Sequence, residues 1–245
     1  MMMMMMMMMM TMMMTFLFAK VGGLAAILTS PYLPVPPHIS PHLATSQVGG
    51  LAAILSDSRS EPRRVLQLLQ RMYDKFDKLA DTFQVQKVRK TANEYYLVAA
   101  GLPDQGLLPN AADRACAIAG FGFALLNLAP LIALELERTG AGRYELTLQV
   151  GLHSGSAIAG IIGHKTFQYD LCGDAVNTAA RMCSFSEPGR VHVSEATQAL
   201  LRHRFDSECR GEREIKGKGV MKTYFLHNAP PGAVSDRLLK PPQDA

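Results

Sequence analysis

Charged side chains are almost confined to the last three quarters of the chain. The 245 residues include 25 Lys and Arg and 21 Asp and Glu, of which only three lie among the first 60 residues. This segment has very few charges and begins with a methionine run. It therefore lacks the alternation of polar and apolar residues that gives a helix or strand one exposed and one buried face. We therefore expect a folded domain over residues 61–228, a low-complexity leader over residues 1–60 and a flexible tail over residues 229–245.

The leader combines a methionine run with a short duplicated segment. Thirteen of the 16 methionines lie between Met1 and Met14, and a segment that begins at Val21 recurs from Val48. Prolines between the two copies predict an extended linker. Residues 1–19 carry no charge and are long enough to span a membrane, so a membrane anchor is an alternative to a simple leader. The lack of a basic segment before them favours the leader.

The overall composition is that of a globular protein and excludes several classes of function. Apolar residues make up 48% of the chain and charged residues 19%, and acidic residues lie among the basic ones that give the net charge of +4. These values exclude collagen-like and coiled-coil chains and predict no nucleic-acid surface. The four cysteines lack C-x-x-C spacing, so we expect free thiols and a cytoplasmic protein.

From residue 61 the hydrophobic spacing predicts helices between strands. Apolar residues at three- and four-residue steps predict helices that begin near Pro62, Ala111, Asp174 and Ser194. Short apolar or alternating runs predict strands at 85–88, 95–99, 146–152, 157–162, 191–193 and 224–226. This order of elements indicates an α+β sandwich in which helices cover one face of a sheet.

Polar and glycine-rich segments mark the candidate site. The densest are 151–155, 167–181 and 216–219. Asn177 and Arg181 are four residues apart on a predicted helix, so they offer an amide and a guanidinium to one ligand, with a surface hydrogen-bonded pair as the alternative. Lys216 and Lys218 are flanked by glycines, which predicts a loop that approaches phosphates, with a solvated basic turn as the alternative.

Taken in order, these segments resemble the catalytic domain of the class III nucleotidyl cyclases, the adenylate and guanylate cyclases. Seven motifs carry the resemblance: Phe76-Asp-Lys-Leu79, Gly101-Leu-Pro103, Val150-Gly-Leu-His-Ser-Gly155, Phe167-Gln-Tyr-Asp170, Gly173-Asp-Ala-Val-Asn-Thr-Ala-Ala-Arg181, Val191-His-Val-Ser194, and Lys216-Gly-Lys-Gly219 with Thr223-Tyr-Phe-Leu226. The resemblance implies a ferredoxin-like, palm-like sandwich with a mixed, mostly antiparallel sheet covered by helices. It also implies attack of a ribose 3'-hydroxyl on the α-phosphate of a nucleoside triphosphate, with release of pyrophosphate and two ions of Mg2+ or Mn2+.

The resemblance assigns roles to five residues. Lys90 and Asp170 fall on the lysine and aspartate with which adenylate cyclases recognise adenine, where guanylate cyclases usually have Glu and Cys. Asn177 corresponds to the asparagine that orients the ribose. Arg181 corresponds to the arginine that stabilises charge on the α-phosphate in the transition state, and Lys216 to a phosphate-binding lysine. The resemblance therefore implies an adenylate cyclase domain that binds ATP.

The metal-binding part of the family pattern is not matched. The Asp-Ile-Val-Gly-Phe-Thr motif of the first strand is absent, and Ser46 stands where its aspartate would fall. Glu94 occupies the position of the second metal aspartate and is a weak candidate, because its longer side chain fits octahedral Mg2+ poorly. We expect the first metal-binding strand to be missing or degenerate.

The site of this family is shared between two domains, so we expect a homodimer or a heterodimer with another cyclase domain. Three functions are left open. The first is an adenylate cyclase domain whose metal aspartates come from a partner chain. The second is a catalytically inactive cyclase-like domain that binds nucleotide or regulates a partner cyclase. The third is a guanylate cyclase, which would require Lys90 and Asp170 to be misaligned.

Overall fold

The computed structural model describes residues 41–49, 62–90, 95–102, 110–138, 146–162, 168–215 and 217–227. Four helices lie in these residues: α1 (Pro62–Thr82), α2 (Ala111–Arg138), α3 (Asp174–Ser184) and α4 (Glu195–Leu201). The same residues include nine strands: β1 (His42–Gly49), β2 (Gln86–Lys90), β3 (Tyr95–Ala100), β4 (Thr147–Ser154), β5 (Ile158–Ile162), β6 (Gln168–Cys172), β7 (Val191–Ser194), β8 (Asp206–Ile215) and β9 (Gly219–His227).

Seven of the strands form one mixed sheet, and the other two form a separate hairpin. The sheet has the order β2-β3-β1-β4-β7-β9-β8, and β5 pairs with β6. Strands β4 and β7 are parallel, whereas the other neighbours are antiparallel. The predicted α+β fold with a mixed, mostly antiparallel sheet is therefore confirmed.

Strand β1 corrects the predicted start of the domain. It lies in the presumed leader, yet it pairs with both β3 and β4 at the middle of the sheet, where Ser46 is opposite Tyr96 and Val150. The boundary at residue 61 is therefore wrong, and the first strand is not missing. Six of its eight residues are buried, so the strand shows none of the polar alternation that marks a half-exposed strand. The methionine run, the first copy of the duplicated segment and the tail lie outside the described residues.

Helices α1 and α2 cover one face of the sheet and form the main core with it. Tyr96 of β3 packs there against Tyr73 and Phe76 of α1 and against Phe121 of α2, with ring centroids 5.4 to 6.3 Å from Tyr96. Residues 111–135 of α2 are long and apolar enough to cross a membrane, but 56% of their most apolar stretch is buried within the domain. Within the described residues, α2 therefore has the character of a core helix.

The opposite face of the sheet carries α3 and the β5–β6 hairpin, so the expectation that helices cover one face alone is wrong in part. Helix α3 lies directly on β4 at Gly151. A Cβ atom at Gly151 would lie 1.9 Å from the backbone nitrogen of Cys183 and 2.5 Å from its Cα. Only glycine permits this approach, because real Cβ contacts are longer. The close packing fixes α3, and with it Asn177 and Arg181, relative to the sheet.

Candidate active site

A pocket of about 180 Å3 opens where α3 lies across β1, β2 and β3. Its lining residues are Thr45, Arg89, Tyr95, Leu97, Val176, Asn177 and Ala180. The walls are mostly apolar or aromatic, and a few polar side chains line the pocket with them. This combination is typical of a site for a small organic molecule.

An ion pair joins the pocket to the β5–β6 hairpin. The Nη1 atom of Arg89 lies 3.0 Å from Oδ2 of Asp170, whose side chain is 12% exposed. The other carboxylate oxygen of Asp170 accepts a hydrogen bond of 2.8 Å from the backbone N–H of Leu171. A guanidinium has five N–H donors, so this contact leaves Arg89 with donors for a ligand.

Arg89 is the residue that sequence reasoning missed, because Lys90 was the expected partner of Asp170. Arg89 and Lys90 lie in the same register against β3, opposite Leu97 and Tyr96, and Arg89 is the one that the structure shows in contact with Asp170. Lys90 belongs to β2, but its side chain lies outside what the structure describes. A single sequence does not show which of two adjacent cations in a strand contacts a given carboxylate.

Asn177 and Arg181 share one face of α3, as predicted. Asn177 lines the pocket, and Arg181 follows one turn later with an exposed side chain. Within the described residues, neither side chain has a hydrogen-bond or ion-pair partner, so the alternative of a surface hydrogen-bonded pair does not form. With no partner among the described side chains, this amide and guanidinium, one turn apart on one helix face, can meet a ligand.

The glycine-flanked turn between β8 and β9 lies against the start of α3. Lys218 forms an ion pair with Asp174, the first residue of α3, and the Lys218 side chain is only 14% exposed. The backbone N–H of Lys218 donates to the carbonyl of Ile215 at 2.8 Å and closes the turn. Lys218 thus anchors the turn, while Lys216, the predicted phosphate-binding residue, lies outside the described residues.

Buried hydrogen bonds link the strand ends beside this turn. His153 bonds to Ser194 at 2.8 Å, Ser194 to Thr197 at 3.2 Å and Thr197 to Ser154 at 3.0 Å. Burial and the nearby charge of Lys218 lower the pKa of His153 to about 4. The imidazole is therefore neutral near pH 7, and the cluster adds no positive charge to the site.

The described residues do not provide the metal site of the family pattern. Ser46 is 1% exposed, lies on the same face of β1 as the core residues Ala44 and Val48, and donates a 3.5 Å hydrogen bond to the carbonyl of Tyr96. Its side chain is therefore directed away from the pocket. Glu94 lies outside the described residues, and within them no three His, Cys, Asp or Glu side chains are grouped to hold a metal ion.

Comparison with known proteins agrees with this fold. The sequence profile of the adenylate and guanylate cyclase catalytic domain matches residues 46–228. The chain is 38% identical over 171 residues to the receptor-type guanylate cyclase gcy-28 of Caenorhabditis elegans, a match that covers 69% of this chain. The matched part makes up 13% of that relative, so the chain spans a small fraction of its length.

Solved structures with a similar fold are also cyclase domains. The guanylate cyclase domain of RhGC from Catenaria anguillulae, solved in complex with GTP, has a TM-score of 0.67 at 28% identity and covers 78% of this chain and 97% of its own. The adenylyl cyclase CyaB from P. aeruginosa has a TM-score of 0.72 at 20% identity, which shows the fold alone, and covers 80% of this chain and 97% of its own. Because the profile extends from β1 to the end of β9 and the fold is that of solved cyclase domains, the chain belongs to the class III adenylate and guanylate cyclase catalytic domain family.

Proposed function

We propose that this chain is an adenylate-type cyclase domain that forms 3',5'-cyclic AMP and pyrophosphate from ATP together with a partner domain. The observation that carries the proposal is the ion pair between Arg89 and Asp170 at the pocket. It places a cation and a carboxylate side by side, where a base edge with one acceptor and one donor can bind both.

Adenine has such an edge. Its N1 atom accepts a hydrogen bond from a cation, and its exocyclic N6 group donates one to a carboxylate. Guanine presents its O6 acceptor where adenine presents the N6 donor, so O6 would face the Asp170 carboxylate. A site built on hydrogen bonds discriminates strongly, because the wrong base leaves buried polar groups unpaired. Arg89 takes the role proposed for Lys90, and Lys90 stays a second candidate cation beside it.

The remaining roles follow the family pattern. We propose that Asn177 orients the ribose, because it lines the pocket next to the base site. Arg181 then stabilises the charge that develops on the α-phosphate as the 3'-hydroxyl attacks it. Lys216 is proposed to bind the triphosphate from the turn between β8 and β9.

The metal ions require a second domain. Members of this family use Mg2+ or Mn2+ and work as dimers. The described residues offer no metal site, and Glu94 alone is a weak ligand. We therefore propose a heterodimer in which a partner cyclase domain carries the two metal aspartates, because neither chain of a homodimer would supply them. Since ATP is an intracellular substrate and all four cysteines are free, we place this domain in the cytoplasm.

Base selectivity tests the proposal. The Kd of the full chain for ATP and for GTP is measured by calorimetry, and we expect ATP to bind more tightly. Replacing Arg89→Glu together with Asp170→Cys should shift the ratio of the two Kd values toward GTP by at least about tenfold, because two charged hydrogen bonds are reversed. Lys90→Gln tests the second candidate cation and should change the ratio less than the double substitution does. A shift as large as that of the double substitution would move the base-binding role from Arg89 to Lys90.

Other outcomes would point to the alternative functions. The chain is 38% identical to a receptor-type guanylate cyclase, which favours guanylate cyclase as the second candidate. Tighter binding of GTP by the unmodified chain would support that candidate. ATP binding without turnover in any mixed dimer would support an inactive domain that regulates its partner. Binding of neither nucleotide would remove the proposal.

A further inference from the structure

One hydroxyl group in the wall of the pocket has no hydrogen-bond partner among the residues that the structure describes. Among the described residues, the buried polar side-chain atoms without a hydrogen bond include His42 Nε2, Thr45 Oγ1, Arg190 Nε and Thr223 Oγ1. Thr45 is the residue in this group that also lines the pocket, and it is 4% exposed. Burial of a hydroxyl removes its hydrogen bonds to water and costs free energy when no partner replaces them. A ligand atom that pairs with the hydroxyl recovers this cost.

The fold holds this hydroxyl in a fixed position. Thr45 lies in the central strand β1, opposite Leu97 of β3 and Gly151 of β4. A β-branched residue in a strand paired on both sides has few rotamers. Because α3 packs directly on Gly151, Val176 and Ala180 are held above Thr45 across the pocket. The hydroxyl is thus preorganised rather than carried on a loop.

The surroundings of Thr45 suit an uncharged ring. Leu97, Val176 and Ala180 are apolar, and the cation of the pocket, Arg89, is already paired with Asp170. A phosphate would lose its hydration against the apolar walls beside a cation whose charge Asp170 already offsets, whereas a purine base would gain both apolar contact and a hydrogen bond.

We propose that Thr45 is a base-binding residue, whose hydroxyl makes a hydrogen bond to a polar atom of the purine at an edge other than the one bound by Arg89 and Asp170. The inference rests on the proposed function, because it requires a nucleotide in this pocket. A hydroxyl both donates and accepts, so Thr45 strengthens binding of the base while Arg89 and Asp170 decide which base binds.

Two substitutions separate a ligand contact from a structural role. Thr45→Val keeps the shape and removes the hydroxyl, and Thr45→Ser keeps the hydroxyl and removes the methyl group. The Kd values for ATP and for inorganic tripolyphosphate are measured by calorimetry on the full chain, and thermal unfolding is followed without ligand. We expect Thr45→Val to weaken ATP binding about three- to tenfold, which corresponds to one neutral hydrogen bond, and to leave tripolyphosphate binding unchanged. Its Tm without ligand should stay equal or rise, and Thr45→Ser should bind ATP within about twofold of the unmodified chain.

Each contrary result has its own meaning. If the unmodified chain binds ATP and Thr45→Val binds it equally well, the inference is overturned and the proposed function stands. A loss that extends to tripolyphosphate overturns the assignment to the base. A lower Tm with unchanged affinity marks Thr45 as a structural residue. If the unmodified chain binds neither ATP nor GTP, the proposed function and this inference both fall.

Discussion

Thr45 and Ser46 are neighbours in β1, yet they belong to opposite sides of the sheet. Thr45 lines the pocket with Arg89 and Asn177, and we call this the pocket side. Ser46 is buried on the face of Ala44 and Val48, which packs against α1 and α2, and we call this the core side. The pocket side has polar groups ready for a ligand, whereas the core side has no space for a charge. The comparison teaches that strand alternation decides which positions of β1 can take part in a site.

The largest expected effect concerns the core side. Ser46→Asp restores the residue type of the family motif but places a carboxylate in the core without a partner. We expect a loss of about 3–5 kcal/mol in the free energy of unfolding, measured by urea denaturation, because an unpaired buried charge is strongly unfavourable. Ser46→Ala is the control and should lose about 1 kcal/mol or less. A stable Ser46→Asp variant that binds Mg2+ would show that this position faces the site after all.

Arg181→Ala tests the pocket side in a mixed dimer with a cyclase domain that has both metal aspartates. The variant should lower kcat about a hundredfold and change KM little, because the guanidinium acts on charge that develops in the transition state. Arg202→Ala, an exposed position beyond α4, is the control. A rise in KM of about a hundredfold with unchanged kcat would instead show that Arg181 binds the substrate in the ground state.

Gly151→Ala tests whether the packing of α3 on β4 supports the pocket side. The added methyl group would overlap the backbone of Cys183, so α3 must move. We expect a loss of about 1–3 kcal/mol in stability and weaker ATP binding by the remaining folded protein. Gly160→Ala is the matched control, since a Cβ there meets nothing within 4 Å. Equal effects of the two substitutions would argue against a supporting role for this contact.

Three buried histidines on and beside the two sides of the sheet make stability depend on pH. Burial lowers the pKa values of His42, His153 and His192 to about 4, against 6.5 in the unfolded chain. The unfolded state therefore binds more protons between these values, and stability present above pH 6.5 is lost as the pH falls toward 4. Each group contributes up to about 1.4 kcal/mol per pH unit. His192→Gln should reduce the slope of unfolding free energy against pH, and His203→Gln at an exposed site should not.

Much of the fold could be predicted because hydrophobic spacing reports burial on one face. The helices and most strands of the domain follow that pattern, and the segment 173–181 gave the correct face of α3. Three strands were not predicted: β1, β6 and β8. Strand β1 is buried on both faces, and β6 lies in the polar segment 167–181, which was assigned to the candidate site. Strand β8 is a charged edge strand whose neighbour in the described sheet is β9, and it is exposed along most of its length.

The candidate site was predicted less completely. Asp170, Asn177 and Arg181 could be placed because their spacing lies within single motifs. Arg89 could not, since the family pattern aligned its neighbour Lys90 with the lysine that recognises adenine, and only the structure shows the contact between Arg89 and Asp170. Ser46 was aligned with a metal ligand from the sequence, and only the pairing of β1 shows that its side chain belongs to the core. Thr45 could not be predicted from the sequence. The structure identifies it, because its hydroxyl lies in the pocket wall without a partner among the described residues.

Complementation tests the central claim, that this chain supplies nucleotide recognition while a partner supplies the metal site. The partner is a cyclase domain that keeps both metal aspartates but has alanine in place of its own ribose-orienting asparagine and transition-state arginine, so that its homodimer is inactive. Cyclic AMP and cyclic GMP are measured with Mg2+ for each chain alone and for the mixture. The account predicts negligible product from either chain alone and cyclic AMP from the mixture. Robust cyclic nucleotide production by this chain alone would contradict it.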